Sequence, residues 1–69
     1  MNIAETIKLI RKKAFLSQAA FAKEIGVSFS TVNRWENGKS SPNYSALKQI
    51  NAFCQKHSID IDVTGSIIL

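Results

Sequence analysis

Apolar residues near the start of the chain recur at helical intervals. Ile3, Ile7, Ile10 and Ala14 fall at i, i+4, i+7 and i+11, the spacing of one helix face. Asn2 with Glu5 three residues later has the form of a capping box, so the pattern predicts a helix over Asn2–Ala14 that stops near Phe15. Lys8 and Lys12 lie on the opposite face. Arg11 lies at the edge of the apolar stripe, where its stem is covered and its head still reaches outward. A second helix opens at Ser17, a good N-cap, with Phe21, Ala22 and Ile25 on its inner side and Ala19, Lys23 and Glu24 facing away. It closes at Gly26, the residue type best suited to the left-handed position just past a helix.

A third helix follows after a turn of a few residues. Ser28 caps it, Phe29–Asn37 form it and Gly38 closes it. Val32 and Trp35 define its buried side. At about 100° per residue, Ser30, Asn33, Arg34 and Asn37 lie opposite them, with Phe29 and Thr31 in between. Lys39–Asn43 reads as a loop, with Ser-Ser-Pro as turn chemistry. A fourth helix runs from about Tyr44 to His57, with Ala46, Leu47, Ile50, Phe53 and Cys54 on one face; Ser41, Asn43 and Ser45 could each cap it. Then the period changes. Ile59-Asp60-Ile61-Asp62-Val63 alternates strictly, as a half-buried strand does. A lone strand in a helical domain must pair across a dimer, lie against the core or stay loose.

Composition narrows the class. Sixty-nine residues, 45% hydrophobic, suffice for one small domain with a thin core. The nine Lys and Arg all precede residue 58, whereas two of the five acids, Asp60 and Asp62, lie beyond it. A basic body suits a polyanion such as nucleic acid or an anionic membrane surface, although such charge also serves solubility. One cysteine, Cys54, and one histidine, His57, leave no intrachain disulfide and no metal-ligand cluster. Cys54 reads as a small buried hydrophobe and His57 as a helix C-terminal residue favoured by the dipole. No apolar run spans a membrane, and the N-terminus lacks the order of a secretory signal. A reducing cytoplasm is the expected setting. The acids show no pairing or acid–base spacing, and there is no phosphate loop or Ser/His/acid order, so no catalytic residue, cofactor or small-molecule ligand is expected.

Two short helices joined by a tight turn form a helix-turn-helix layout. Ala22 falls where the helices cross, Gly26 makes the turn, and Val32 and Trp35 plug the angle between them. The segment LSQAAFAKEIGVSFSTVNRWENGKSSP resembles the helix-turn-helix of the phage repressor and Cro-like (XRE-type) family. That resemblance covers residues 1–57, and 17–38 is its specific part. It implies an all-α, four- to five-helix, lambda-repressor-like DNA-binding domain over 1–58, with 59–69 a tail that is a candidate for dimer formation. It also implies a transcription regulator, most often a repressor, that inserts helix 29–37 into the major groove of a palindromic operator as a homodimer.

Carried over by position, the resemblance implies base contacts from Ser28, Phe29, Ser30, Asn33 and Arg34. It implies phosphate contacts from Ser17, Gln18, Thr31, Asn37 and Lys39. Arg11 and Glu36 match an ion pair that ties the first helix to the third. Arg is the usual reader of guanine, although a phosphate contact is open to Arg34 too. Relatives often carry glutamine where Phe29 stands; phenylalanine can pack on a thymine methyl or fold back onto the protein. The alternating tail stands in place of the family's usual short fifth helix. The expected partners are double-stranded DNA and a second copy of the chain, with no membrane, in the cytoplasm of a bacterium or as a phage-derived protein at the nucleoid. Two other readings use the same layout: a protein-binding helix-turn-helix, and the DNA-binding antitoxin of a toxin–antitoxin pair. Ser30, Asn33, Arg34 and Asn37 on the outer face of the third helix favour DNA over a protein partner.

Overall fold

The computed structural model describes residues 2–63. Among them the chain forms α1 (Ile3–Lys13), α2 (Gln18–Ile25), α3 (Phe29–Glu36) and α4 (Tyr44–Lys56). A side-chain oxygen caps the start of each helix by accepting the N–H three residues ahead. Asn2 Oδ1 takes Glu5 N at 2.9 Å and Ser17 Oγ takes Ala20 N at 3.1 Å. Ser28 Oγ takes Thr31 N at 3.1 Å and Asn43 Oδ1 takes Ala46 N at 2.8 Å. Each cap satisfies a donor that the helix leaves orphaned and contributes about 1 kcal/mol. Of the three residues able to start α4, Asn43 does so.

The helix ends share a second device. Phe15, Gly26, Gly38 and Ser58 have φ of 59°, 79°, 73° and 57°, a left-handed step that turns the chain off the helix axis. At three of the ends the step completes a Schellman pair. Phe15 N–H donates to Lys12 O and Leu16 N–H to Arg11 O, at 3.0 and 3.2 Å; Gly38 N–H donates to Trp35 O and Lys39 N–H to Arg34 O, at 3.1 and 2.9 Å. Ser58 N–H to Gln55 O and Ile59 N–H to Cys54 O repeat the pattern after α4. The sequence marks only two of these positions with glycine. At Gly26 an added Cβ would meet nothing within 4 Å, so the demand there is on backbone conformation and not on space.

The core is one cluster drawn from all four helices. Ile7 and Ile10 of α1, Phe21 of α2, Val32 of α3 and Ile50 of α4 are fully buried. Phe21 meets Phe53 edge-on, with ring centroids 5.1 Å apart, the favoured arrangement for an aromatic pair, and so locks α2 to α4. Ala22, almost fully buried, lets α2 and α3 approach. Cys54 is part of this core; burial, with Asp62 nearby, pushes its thiol pKa up, so it packs as a hydrophobe. His57 is the C-cap residue of α4, its ring against Phe53.

Residues 59–63 take one of the three courses left open for the alternating segment. Among the described residues there is no strand. The alternating segment lies along the core instead, with Val63 buried, Ile59 and Ile61 half-buried against the cluster, and Asp60 and Asp62 exposed. Ile61 N–H donates to Ile59 O at 2.9 Å, a tight local turn and not a ladder bond. Alternation reports which side chains face inward in an extended chain; it carries no information on whether a neighbouring strand exists. The remainder of the tail, 64–69, lies outside the described residues, and with it the expected dimer-forming role of those positions.

Candidate nucleic-acid interface

α3 is a short helix with two unlike sides. Val32 and Trp35 are buried, while Ser30, Arg34 and Asn37 are exposed and Thr31 and Asn33 half-buried. Phe29 is 53% exposed, so its ring does not fold back into the core and stands on the outer surface at the start of the helix. Ser28 caps α3 and its hydroxyl also meets Ser30 Oγ at 3.2 Å and Thr31 Oγ1 at 2.8 Å. Three residues expected at the duplex are therefore joined in a hydroxyl cluster at the helix N-terminus. Ser17 holds the equivalent capping position on α2, and Lys39 is exposed in the loop that follows α3.

The structure brings Arg11 and Glu36 together. Arg11 Nε lies 2.7 Å from Glu36 Oε2 and Arg11 Nη2 lies 3.0 Å from Oε1, a two-pronged pairing that only a guanidinium makes. Its third nitrogen, Nη1, donates to Leu16 O at 2.9 Å. One side chain thus fastens α1, the α1–α2 turn and α3. The Glu36 side chain is 1% exposed and that of Arg11 14%. Burial pushes the Glu36 carboxyl pKa up, but the bonds from Arg11 and Gln18 and the charges of Arg11 and Lys8 outweigh it, so the carboxyl sits below its ordinary value. Arg11 is shifted upward, chiefly by its bond to Glu36. Removing one partner of such a pair costs about 3–5 kcal/mol, because the survivor stays buried and uncompensated. The Leu16 carbonyl was not foreseen, since a backbone acceptor leaves no mark on the sequence.

Gln18, Asn33 and Asn37 are also joined. Gln18 Nε2 donates to Glu36 Oε1 at 3.1 Å, Asn33 Nδ2 to Gln18 Oε1 at 3.2 Å, and Asn37 Nδ2 to Asn33 Oδ1 at 3.1 Å. A continuous line of hydrogen bonds therefore runs from the buried ion pair to the exposed end of α3. It links two residues expected at phosphates, Gln18 and Asn37, through one expected at a base, Asn33. The Arg34 side chain takes no part in it; it is exposed and, among the described residues, makes no side-chain hydrogen bond or ion pair.

A helix-turn-helix family model matches residues 7–61. The chain belongs to the helix-turn-helix family. α2 and α3 are its motif helices, and α3 stands at the recognition position. The chain is similar to antitoxin PezA of Streptococcus pneumoniae serotype 4, 36% identical over 64 residues that cover 91% of this chain and 39% of that protein. It is 34% identical over 62 residues to the HTH-type transcriptional activator BcrR of Enterococcus faecalis, covering 90% of this chain and 29% of BcrR. It is 38% identical over 55 residues to the type II methyltransferase M.SsoII of Shigella sonnei, covering 75% of this chain and 14% of the enzyme. The chain therefore spans less than half the length of each of these relatives. No solved structure matches it at the same level of significance.

Proposed function

We propose that this helix-turn-helix domain binds duplex DNA in a sequence-specific way and regulates transcription by occupying its site. The observation that carries the reading is the outer face of α3. Ser30 and Arg34 are exposed there beside Phe29, while Val32, Trp35 and Glu36 hold the opposite side in the core. Arg34 is assigned to guanine O6 and N7, a bidentate pair worth about 1–3 kcal/mol of discrimination. Phe29, no longer a candidate for the core, is assigned to a thymine methyl, with Ser28, Ser30 and Asn33 as the neighbouring base-facing residues. Ser17, Gln18, Thr31, Asn37 and Lys39 are assigned to phosphates, which fix register and carry no sequence information.

The domain acts in this reading as a homodimer on a palindromic operator, with its recognition helices about 34 Å apart, one turn of duplex. Repression by occlusion is the simplest outcome of such binding. The setting is the cytoplasm, and the domain catalyses no reaction; the match to a methyltransferase, at 14% of that enzyme's length, carries no chemistry to this chain. The similarity to an antitoxin over 91% of this chain favours a second reading, in which the same DNA contacts serve a toxin–antitoxin pair and a toxin is a further partner.

Selection from a randomised duplex pool at stated salt, followed by sequencing, tests the reading. Enrichment of a motif with two half-sites supports both specificity and the dimer. Absence of an enriched motif, together with affinity that ignores salt, would replace DNA with a protein partner.

A further inference from the structure

An amide side chain can be turned end for end, offering N–H where it offered C=O, and shape alone does not choose between the two. A carboxylate leaves no such freedom, because it only accepts. Glu36 is the buried end of the line described above, and its Oε1 faces Gln18 at 3.1 Å. Gln18 must present its nitrogen there, which turns its oxygen toward Asn33. That oxygen accepts, so Asn33 must present its nitrogen at 3.2 Å and its own oxygen faces Asn37. Asn37 must then donate, at 3.1 Å. Every orientation follows from the one before it, and the first is fixed by a charge that Arg11 holds in place.

We propose that Glu36 sets the direction of this relay, and that Asn33, bonded on both sides, positions the amides of Gln18 and Asn37 for the phosphates of a bound duplex. The proposal rests on the DNA-binding reading. Each amide nitrogen carries two hydrogens and spends one within the relay. One N–H is left on each of the three for a phosphate oxygen. A reversed relay would set the Gln18 carbonyl oxygen against the Glu36 carboxylate, two acceptors with no hydrogen between them. Burial falls along the line: Glu36 is buried, Gln18 and Asn33 are half-buried and Asn37 is exposed. The direction is set inside the protein and expressed at its surface. Asn33, assigned above to a base, is in this proposal a positioning residue held by bonds on both sides, and sequence reading falls to Arg34, Phe29, Ser28 and Ser30.

Two measurements test this. In the free protein, the side-chain NH2 resonances of Gln18, Asn33 and Asn37 are compared with those of the Glu36→Gln variant and of Asn33→Ala, a half-buried surface change that leaves the ion pair intact. Asn37 is two links removed from Gln18. A relay requires its NH2 pair to move in both variants, and an unchanged Asn37 in a folded Asn33→Ala variant would overturn it. On DNA, affinities of the wild type, Gln18→Ala, Asn33→Ala and the double variant are measured on the selected duplex and on a random one. Asn33→Ala is expected to weaken both duplexes alike, by about three- to tenfold, and to add little once Gln18 is alanine. Additive losses, or a loss confined to the selected duplex, would return Asn33 to base reading and overturn the proposal. A wild type with no salt-dependent binding would remove the DNA reading itself, while the NH2 spectra would still decide the direction of the relay.

Discussion

Replacing Phe15 with glycine is expected to stabilise the protein. Phe15 sits at φ 59° and is 94% exposed, so its ring buries almost nothing and its backbone bears the cost of a left-handed step. That cost is about 1–2 kcal/mol for an L-residue, and glycine removes it while adding about 0.5–1 kcal/mol of conformational entropy to the unfolded chain. The net gain is about 0.5–1 kcal/mol, which for a domain of this size raises Tm by roughly 2–8 °C. Both hydrogen bonds at the turn, Phe15 N–H to Lys12 O and Leu16 N–H to Arg11 O, belong to the backbone and survive the change. Thermal and urea unfolding of Phe15→Gly and Phe15→Ala give the answer. Alanine removes the ring but keeps a Cβ at positive φ, so it should not reproduce the gain. An alanine variant as stable as the glycine variant would show that the exposed ring, not the backbone, was the burden. A glycine variant less stable than the wild type would refute the reasoning outright.

Arg34→Ala should cost about 1–3 kcal/mol of discrimination at one base pair and weaken random duplexes far less; equal loss on both would assign Arg34 to phosphate. Stability should fall in acid. The Glu36 carboxyl is held below its ordinary value, so its contribution is complete above the unfolded carboxylate pKa of about 4.3 and disappears as pH drops through the lower folded value. Tm measured from pH 7 downward should show this loss, and an Arg11→Met, Glu36→Gln double variant should show a shallower slope. Val63→Ala, which removes about two buried methylene equivalents from a side chain in the core, should cost about 2 kcal/mol by urea unfolding; a change below about 0.5 kcal/mol would mean that the tail does not seal the core in solution.

Much of the architecture could be read from residue types whose chemistry acts locally. Asn2, Ser17 and Ser28 mark helix starts because a short polar side chain reaches the N–H three residues on. Gly26 and Gly38 mark ends because glycine takes positive φ without cost. The same logic missed Phe15 and Ser58, which adopt that conformation without the residue that advertises it. Alternation at Ile59–Val63 disclosed an inner and an outer side but left open which of the three courses the segment takes. On the surface, the four-residue spacing of Asn33 and Asn37 places them one helical turn apart. Their connection to Gln18 spans two helices and depends on the crossing of α2 and α3, which no local pattern encodes.

The capped ends of the four helices have a consequence for how the chain folds. Each helix is begun by a residue three positions from its bonding partner and ended within the next few residues, so the unfolded chain can outline its helices without distant loop closure. Proteins dominated by such short-range contacts fold in microseconds to milliseconds. The contact that aims α3 is of another kind: Arg11 and Glu36 are 25 residues apart. Helices should thus form early and often, while the angle between them is settled last, by a single charged fork.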